Sequence, residues 1–296
     1  MNKIPPYIAE YWGKADLGGG FHPLAYHQLD AAAVAHQLIS ADSLLLRRLS
    51  AGLGIPQGRA LALMGFLCSV HDLGKFADSF QGIASGVYQE LRDRAPSMQY
   101  SVRHDDLGFI LWRKHLRGSI SCDNLAVLEV FLKSAFGHHG MPPSRRPDGL
   151  DVFLDDHFSE AGLRAAGGFF GDVGWLFFED SGLSSLAGAS NCLVDVKKMS
   201  WLVSGIISLS DWIASNELLF DYIAPNYLLT DYFHEQALPK AQVAIARLGI
   251  LMQSPITDTT FKAVFPDLKK LRPTQELIAS LEDSTEQHLI LIEDRT

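Results

Sequence analysis

Ser69-Val70-His71-Asp72-Leu73-Gly74-Lys75-Phe76 is the stretch whose reading decides the fold of this chain. Upstream of it, Ala60, Met64 and Leu67 recur at intervals of three and four residues, and His71 is the next member of that apolar stripe. The spacing predicts a helix from Arg59 to Phe76 whose buried face ends in an imidazole with a carboxylate beside it. Gly74 reads as a helix-ending residue and Lys75 as a cation in the last turn. A buried imidazole and carboxylate must be hydrogen-bonded, ion-paired or metal-bound, because leaving them unpaired costs several kcal/mol. One His-Asp pair alone is more often a satisfied core pair than a site, since two-residue motifs are common. The rest of the chain decides between the two.

Working upstream, Pro23 suits the first turn of a helix in which Leu24, His27, Ala31, Val34 and Leu38 form one stripe, so His27 also sits on an apolar face. Downstream, Arg103-His104-Asp105-Asp106 opens a helix through Leu116, with His104 in line with Leu107 and Leu111, and His115 at the surface. A helix from Leu125 to Gly137 ends in Gly137-His138-His139-Gly140 and is stopped by Met141-Pro142-Pro143. Adjacent imidazoles cannot share a helix face, but at a helix end both can turn toward one point. A last periodic helix, Met199 to Ser215, puts Val203, Ile207 and Asp211 on one side. Gly18-Gly19-Gly20 reads as a loop and not a phosphate cradle, because no strand is expected before it. Gln81 to Tyr100 reads as polar helical loop, and Pro147 to Asn191, with weak periodicity, as short peripheral helices and loops. Leu289-Ile290-Leu291-Ile292 is the only convincing buried-strand run, placed as though another domain begins there.

A chain of 296 residues, 47% hydrophobic and 20% charged, has ample apolar content to bury a core and is too apolar for disorder. No apolar run is long enough to span a bilayer and no signal-type stretch opens the sequence, so no membrane and a cytoplasmic location are the expectation. Cys68, Cys122 and Cys192 are solitary, offering neither a thiolate zinc pattern nor a disulfide framework. The formal net charge of −9 argues against nucleic-acid binding through bulk basicity, so a nucleic-acid substrate would need delivery by something else.

His27, His71, Asp72, His104, His138, His139 and Asp211 together offer imidazoles and carboxylates but no thiolate. That donor set suits Fe, Mn, Ni, Co or Zn, while Mg alone normally takes oxygen ligands. Seven donors exceed one tetrahedral structural site and fit two ions with open positions. With Asp72 as a bridge, one ion would take His27, His71 and Asp211, and the other His104, His138 and His139. Two ions roughly 3.5–4 Å apart line up the attacking and leaving oxygens of a phosphoester. Lys75 is equally suited to a phosphate oxygen or to the end of its own helix. His22, His36, His157, His234 and His288 lack comparable context.

The order His … His-Asp … His … His-His … Asp resembles the HD superfamily of metal-dependent phosphohydrolases. Tyr11-Trp12-Gly13-Lys14, the segment Tyr26–Ala35, His71-Asp72-Leu73-Gly74-Lys75-Phe76, Arg103-His104-Asp105, Gly137-His138-His139-Gly140 and Ser208-Leu209-Ser210-Asp211-Trp212-Ile213 resemble one branch in particular. That branch is the HD nuclease domain of the CRISPR-associated helicase-nuclease of type I (Cascade-dependent) systems. The resemblance implies an all-α domain over residues 1–235 with two divalent ions, from Mn, Fe, Ni, Co or Mg, that cuts single-stranded DNA. It carries the ligand role to the seven residues named above, and a catalytic phosphate contact to Lys75. Residues 236–296 would then be a linker and the start of a truncated superfamily 2 helicase domain, with the RNA-guided surveillance complex as a further partner. An HD-type nucleotide phosphohydrolase and a docking module for that complex are the alternatives.

Overall fold

The apolar stripes fold as helices stacked around two that are buried along most of their length. The computed structural model describes residues 3–16, 18–41, 43–119, 125–143, 152–178, 192–250, 272–273 and 275–276. In order come α1 (Pro6–Ala9), β1 (Trp12–Ala15), β2 (Phe21–Pro23), α2 (Leu24–Ala41), α3 (Ser43–Leu53), α4 (Gln57–Val70), α5 (Asp78–Gln81) and α6 (Ser85–Arg92). They are followed by α7 (His104–Leu111), α8 (Leu125–Phe136), α9 (Glu160–Phe178), α10 (Cys192–Ala214), α11 (Leu229–Tyr232) and α12 (Leu238–Leu248). The all-α expectation holds, with one two-stranded hairpin added.

Helix α2 packs most extensively on α4, and α10 packs on both α2 and α8. The run Ala31-Ala32-Ala33-Val34-Ala35 is fully buried, and its small side chains let neighbouring helices approach from several sides. Leu63 to Val70 of α4 is likewise buried throughout. Each Leu or Phe enclosed in this core contributes about 1.5–3 kcal/mol through removal from water.

The central helix ends earlier than its periodicity predicts. Regular α4 stops at Val70, His71 is its C-cap, and Asp72 (φ −108°, ψ 20°) leaves helical geometry before a 3-10 turn over Leu73–Phe76. Gly74 also serves a different purpose from the one expected, since it does not adopt the left-handed conformation of a helix-ending glycine. A Cβ there would lie 1.8 Å from the His104 carbonyl oxygen and 2.7 Å from the Gly108 nitrogen. The missing side chain lets the 3-10 turn and α7 touch backbone to backbone, which brings His104 toward Asp72.

Two further expectations are corrected. A strand does precede Gly18-Gly19-Gly20: β1 pairs antiparallel with β2, and the glycines close the hairpin. The segment Pro147 to Asn191 is not merely peripheral, because within it α9 buries Phe169, Phe170 and Val173 against the core. Phe170 and Phe178 both meet Phe66 of α4 edge-on. Gly167, Gly168, Gly171 and Gly174 dilute the stripe in sequence, and packing overrides their poor helix propensity.

Contacts divide the chain into one unit, Met1–Leu251, and a second, Met252–Thr296. Helix α12 packs on α2 within the first. Of the second, only Arg272, Pro273, Gln275 and Glu276 are described, so the expected strand Leu289–Ile292 lies outside the described residues. Among the described residues no single helix is long and apolar enough to cross a membrane.

Candidate metal centre

All seven candidate side chains meet at one place, and they meet as two adjoining groups. His27, His71, Asp72 and Asp211 form a fully buried group, while His104, His138 and His139 form a second that opens outward. Asp72 lies between them. Its Oδ2 is 3.3 Å from His27 Nε2 and 3.2 Å from His71 Nε2. Its Oδ1 is 3.3 Å from His104 Nε2 and 3.7 Å from His138 Nε2. Asp211 Oδ1 closes the first group at 3.3 Å from His27 Nε2 and 3.4 Å from His71 Nε2. His104 and His139 face each other with their Nε2 atoms 3.1 Å apart.

Helix ends do much of this positioning. His71 Nδ1 donates to the Cys68 carbonyl at 2.6 Å, and His138 Nδ1 donates to the Ala135 carbonyl at 2.9 Å. Both acceptors are carbonyls three residues back in the last turn of a helix, where intrahelical partners run out. The same bond that satisfies the helix end therefore fixes each ring's tautomer and turns an Nε2 lone pair into the site. Tyr100 performs the matching task at the start of α7. Its hydroxyl accepts the His104 backbone N–H at 3.0 Å and lies 3.3 Å from His104 Nδ1.

The inward atoms are what a cation would satisfy. Buried His71 Nε2, His138 Nε2 and both Asp72 oxygens have no hydrogen-bond partner. Native interiors rarely leave such groups unpaired. Donors held about 2.1 Å from one ion at tetrahedral to octahedral angles lie roughly 3.0–3.4 Å from each other, which is the spacing around Asp72 Oδ2 and Asp211 Oδ1. The residues fit a divalent ion. Their electrostatics agree: burial opposes a proton on His71, yet Asp72 and Asp211 outweigh it and raise the ring to about 10. Burial, reinforced by His71, pushes His138 down to about 3. Asp72 and Asp211 are held well below the usual carboxylate range against their own burial, Asp72 chiefly by Lys75 and His71, and Asp211 by His27 and His71. The carboxylates thus hold positive charge at the centre of the cluster.

Lys75 Nζ stands 2.7 Å from Asp72 Oδ2, as an ion pair off hydrogen-bond alignment, with its side chain largely buried. Gln81, which sequence spacing does not single out, holds this corner. Its amide donates to the Lys75 carbonyl at 2.8 Å and to the Trp12 carbonyl at 2.9 Å, while its Oε1 accepts the Trp12 N–H at 3.0 Å. No local signal marks it, because its partners lie across the fold. Of the histidines left aside, His22 is buried and bonds Asp30, away from the cluster, and His115 is exposed.

An all-helical domain that closes imidazoles and carboxylates around an HD pair has the architecture of the HD class. The family model for the HD domain of Cas3 matches residues 12–220, and the chain belongs to that family. It is 30% identical over 293 residues to the CRISPR-associated endonuclease/helicase Cas3 of Thermus thermophilus, covering 95% of this chain and 30% of that protein. The Escherichia coli K12 protein of the same name is 32% identical over 96 residues, 31% of this chain and 11% of its own. The chain therefore spans less than a third of the length of these relatives. Among solved structures, the T. thermophilus Cas3 HD domain in the presence of Ni2+ superposes with a TM-score of 0.55 at 22% identity, over 79% of this chain and 88% of that one. T. fusca Cas3 superposes with a TM-score of 0.63 at 21% identity, over 93% of this chain and 31% of that one.

Proposed function

We propose that this domain is a metal-dependent nuclease that hydrolyses phosphodiester bonds of single-stranded DNA in type I CRISPR interference, using two divalent ions. The single observation that carries this reading is Asp72, whose two carboxylate oxygens face two different groups of imidazoles. His27, His71, Asp72 and Asp211 would hold one ion, and Asp72, His104, His138 and His139 the other. Ions there supply Lewis-acid polarisation of a phosphoryl oxygen and acidify water at neutral pH.

The protein's own part is to pre-orient the donors and present the scissile phosphate. The carbonyls of Cys68 and Ala135 hold the His71 and His138 rings so that no reorganisation is needed at the moment of reaction. His139 and His104 border the open side of the site, where a strand has access. Lys75, tethered to Asp72, is placed to meet a phosphate oxygen with a charge-assisted hydrogen bond. The endonuclease/helicase identity of the relatives supports a longer protein in which residues 1–235 are the nuclease domain and 236–296 lead into a helicase. A match to the RNA-guided surveillance complex in a pre-nicking state supports that complex as the partner, at a TM-score of 0.58.

The test is cleavage of labelled single-stranded DNA, with a deoxynucleoside triphosphate alongside, in chelator and then in Mn, Ni, Co, Fe or Mg. Cleavage that needs the ion and falls at least about a hundredfold in Asp72→Ala is the expected result, since even outer-shell partners of ligands cost 10–100-fold. Triphosphate hydrolysis with the DNA intact would replace the nuclease by a nucleotide phosphohydrolase.

A further inference from the structure

Helix α10, which supplies Asp211, also carries two tryptophans that the core does not use. Trp201 is 80% exposed and Trp212 is 70% exposed. They are eleven residues apart, about three helical turns, and so lie on one face of the helix. Beneath Trp201 is a cavity of about 230 Å³ between α8 and α10, lined also by Val130, Lys133, Gly137, Gly140 and Pro142. That is smaller than the roughly 300–1,000 Å³ of pockets that enclose a whole drug-sized ligand, and it suits a single planar group.

The cavity adjoins the turn that carries two of the donors. Gly137 and Gly140 line it and bracket His138 and His139. Ser208 Oγ, on the tryptophan face, donates to the His138 carbonyl at 2.6 Å, fastening α10 to the turn that carries those rings. A planar group held against Trp201 therefore lies against the turn that carries His138 and His139. Lys133 also lines the slot, with its ammonium 3.9 Å from Glu129 Oε1 and 5.2 Å from the Phe109 ring centroid, in a chain whose net charge is −9.

We propose that this face of α10 is a base-stacking platform for the single-stranded substrate, with Trp201 closing a slot that takes one base while the adjoining phosphate reaches the donors. The proposal rests on the nuclease reading above and names how that site holds its strand. A face built to dock a protein helix carries contiguous apolar anchors at three- and four-residue spacing. Here Ser204, Gly205 and Ser208 lie between the two tryptophans, leaving isolated aromatic planes on a small, polar track. Aromatic planes beside a cation are how proteins grip single strands of any sequence.

The test is equilibrium binding of a labelled oligothymidylate to the full chain in chelator, by fluorescence anisotropy, alongside a strand of equal length containing abasic sites. Base–aromatic stacking predicts that Trp201→Ala raises Kd for the normal strand about tenfold, that Trp201→Phe retains most of the affinity, and that wild type binds the abasic strand about tenfold more weakly. Trp201→Ala should then bind the two strands alike. An equal loss on both strands would make Trp201 a structural residue. Unchanged binding of both would leave the face to a protein partner. Either result overturns the platform, and leaves the nuclease reading standing if wild type still cuts DNA. Wild type that neither binds nor cuts single strands removes both.

Discussion

Two buried His-Asp assemblies share helix α2, and their hydrogen bonding is opposite. In the first, His22 Nε2–H donates to Asp30 Oδ2 at 2.9 Å, the Ile223 N–H donates to His22 Nδ1 at 3.2 Å, and the Tyr232 hydroxyl donates to Asp30 Oδ1 at 2.8 Å. Every polar atom of that trio has a partner, and the trio fastens the segment after α10 to the start of α2. In the second, around His27 and Asp72, the His71 and His138 Nε2 atoms and both Asp72 oxygens converge on shared points without a hydrogen-bond partner. Residue types and burial are the same in both. What separates an anchor from a site is whether the protein satisfies its own polar groups or leaves them for a ligand.

Cutting the anchor should have the largest effect on stability. Asp30→Ala strands the His22 N–H and the Tyr232 hydroxyl in the core as two unsatisfied donors, and the expected loss in urea unfolding is about 2–6 kcal/mol. Divalent-ion binding should survive in the fraction that folds. A loss no larger than that of a surface substitution, about 0.5 kcal/mol, would break the contrast between the two assemblies.

The sequence shows His27, His71 and Asp211 clearly, because helical period alone puts each on an apolar stripe where a polar group needs a reason. His138 and His139 are legible through their glycines and the prolines that end α8. Period also gives the helical class of the fold. It says nothing of Gln81 or Tyr100, whose partners are fixed only by tertiary approach, and it misreads Gly74, whose absent side chain answers to α7 across the fold. It leaves His22 without a context, since its pairing with Asp30, which also accepts the Tyr232 hydroxyl, is a three-dimensional fact. Helix α9 escapes notice because glycines interrupt a stripe that packing nonetheless buries.

A smaller effect sharpens the comparison from the other side. A divalent ion at one hundred times its Kd should stabilise the folded chain by about 2.7 kcal/mol, seen as a rise of several degrees in Tm that chelator reverses. The rise should vanish in Asp72→Ala and persist in Asp30→Ala. A rise that persists without Asp72 would place the ion elsewhere. A rise lost with Asp30 would mean that the anchor and the site are one unit.

The smallest expected effect is a pH dependence belonging to the anchor. Burial lowers the His22 pKa, with Asp30 opposing the shift and Lys14 and His27 adding to it. The folded ring stays neutral at pH values where the unfolded ring, with a pKa of about 6.5, already takes a proton. Below that value the unfolded chain binds more protons, so the stability His22 contributes is fully present above about pH 6.5 and declines as pH falls toward the lowered folded value. One group can change stability by at most about 1.4 kcal/mol per pH unit. Urea unfolding between pH 7 and pH 5 should therefore show a shallower decline in His22→Gln than in wild type, whatever the variant's absolute stability. Equal slopes would mean that the His22 ring gains its proton as readily folded as unfolded, and that Asp30 holds an imidazolium in the core.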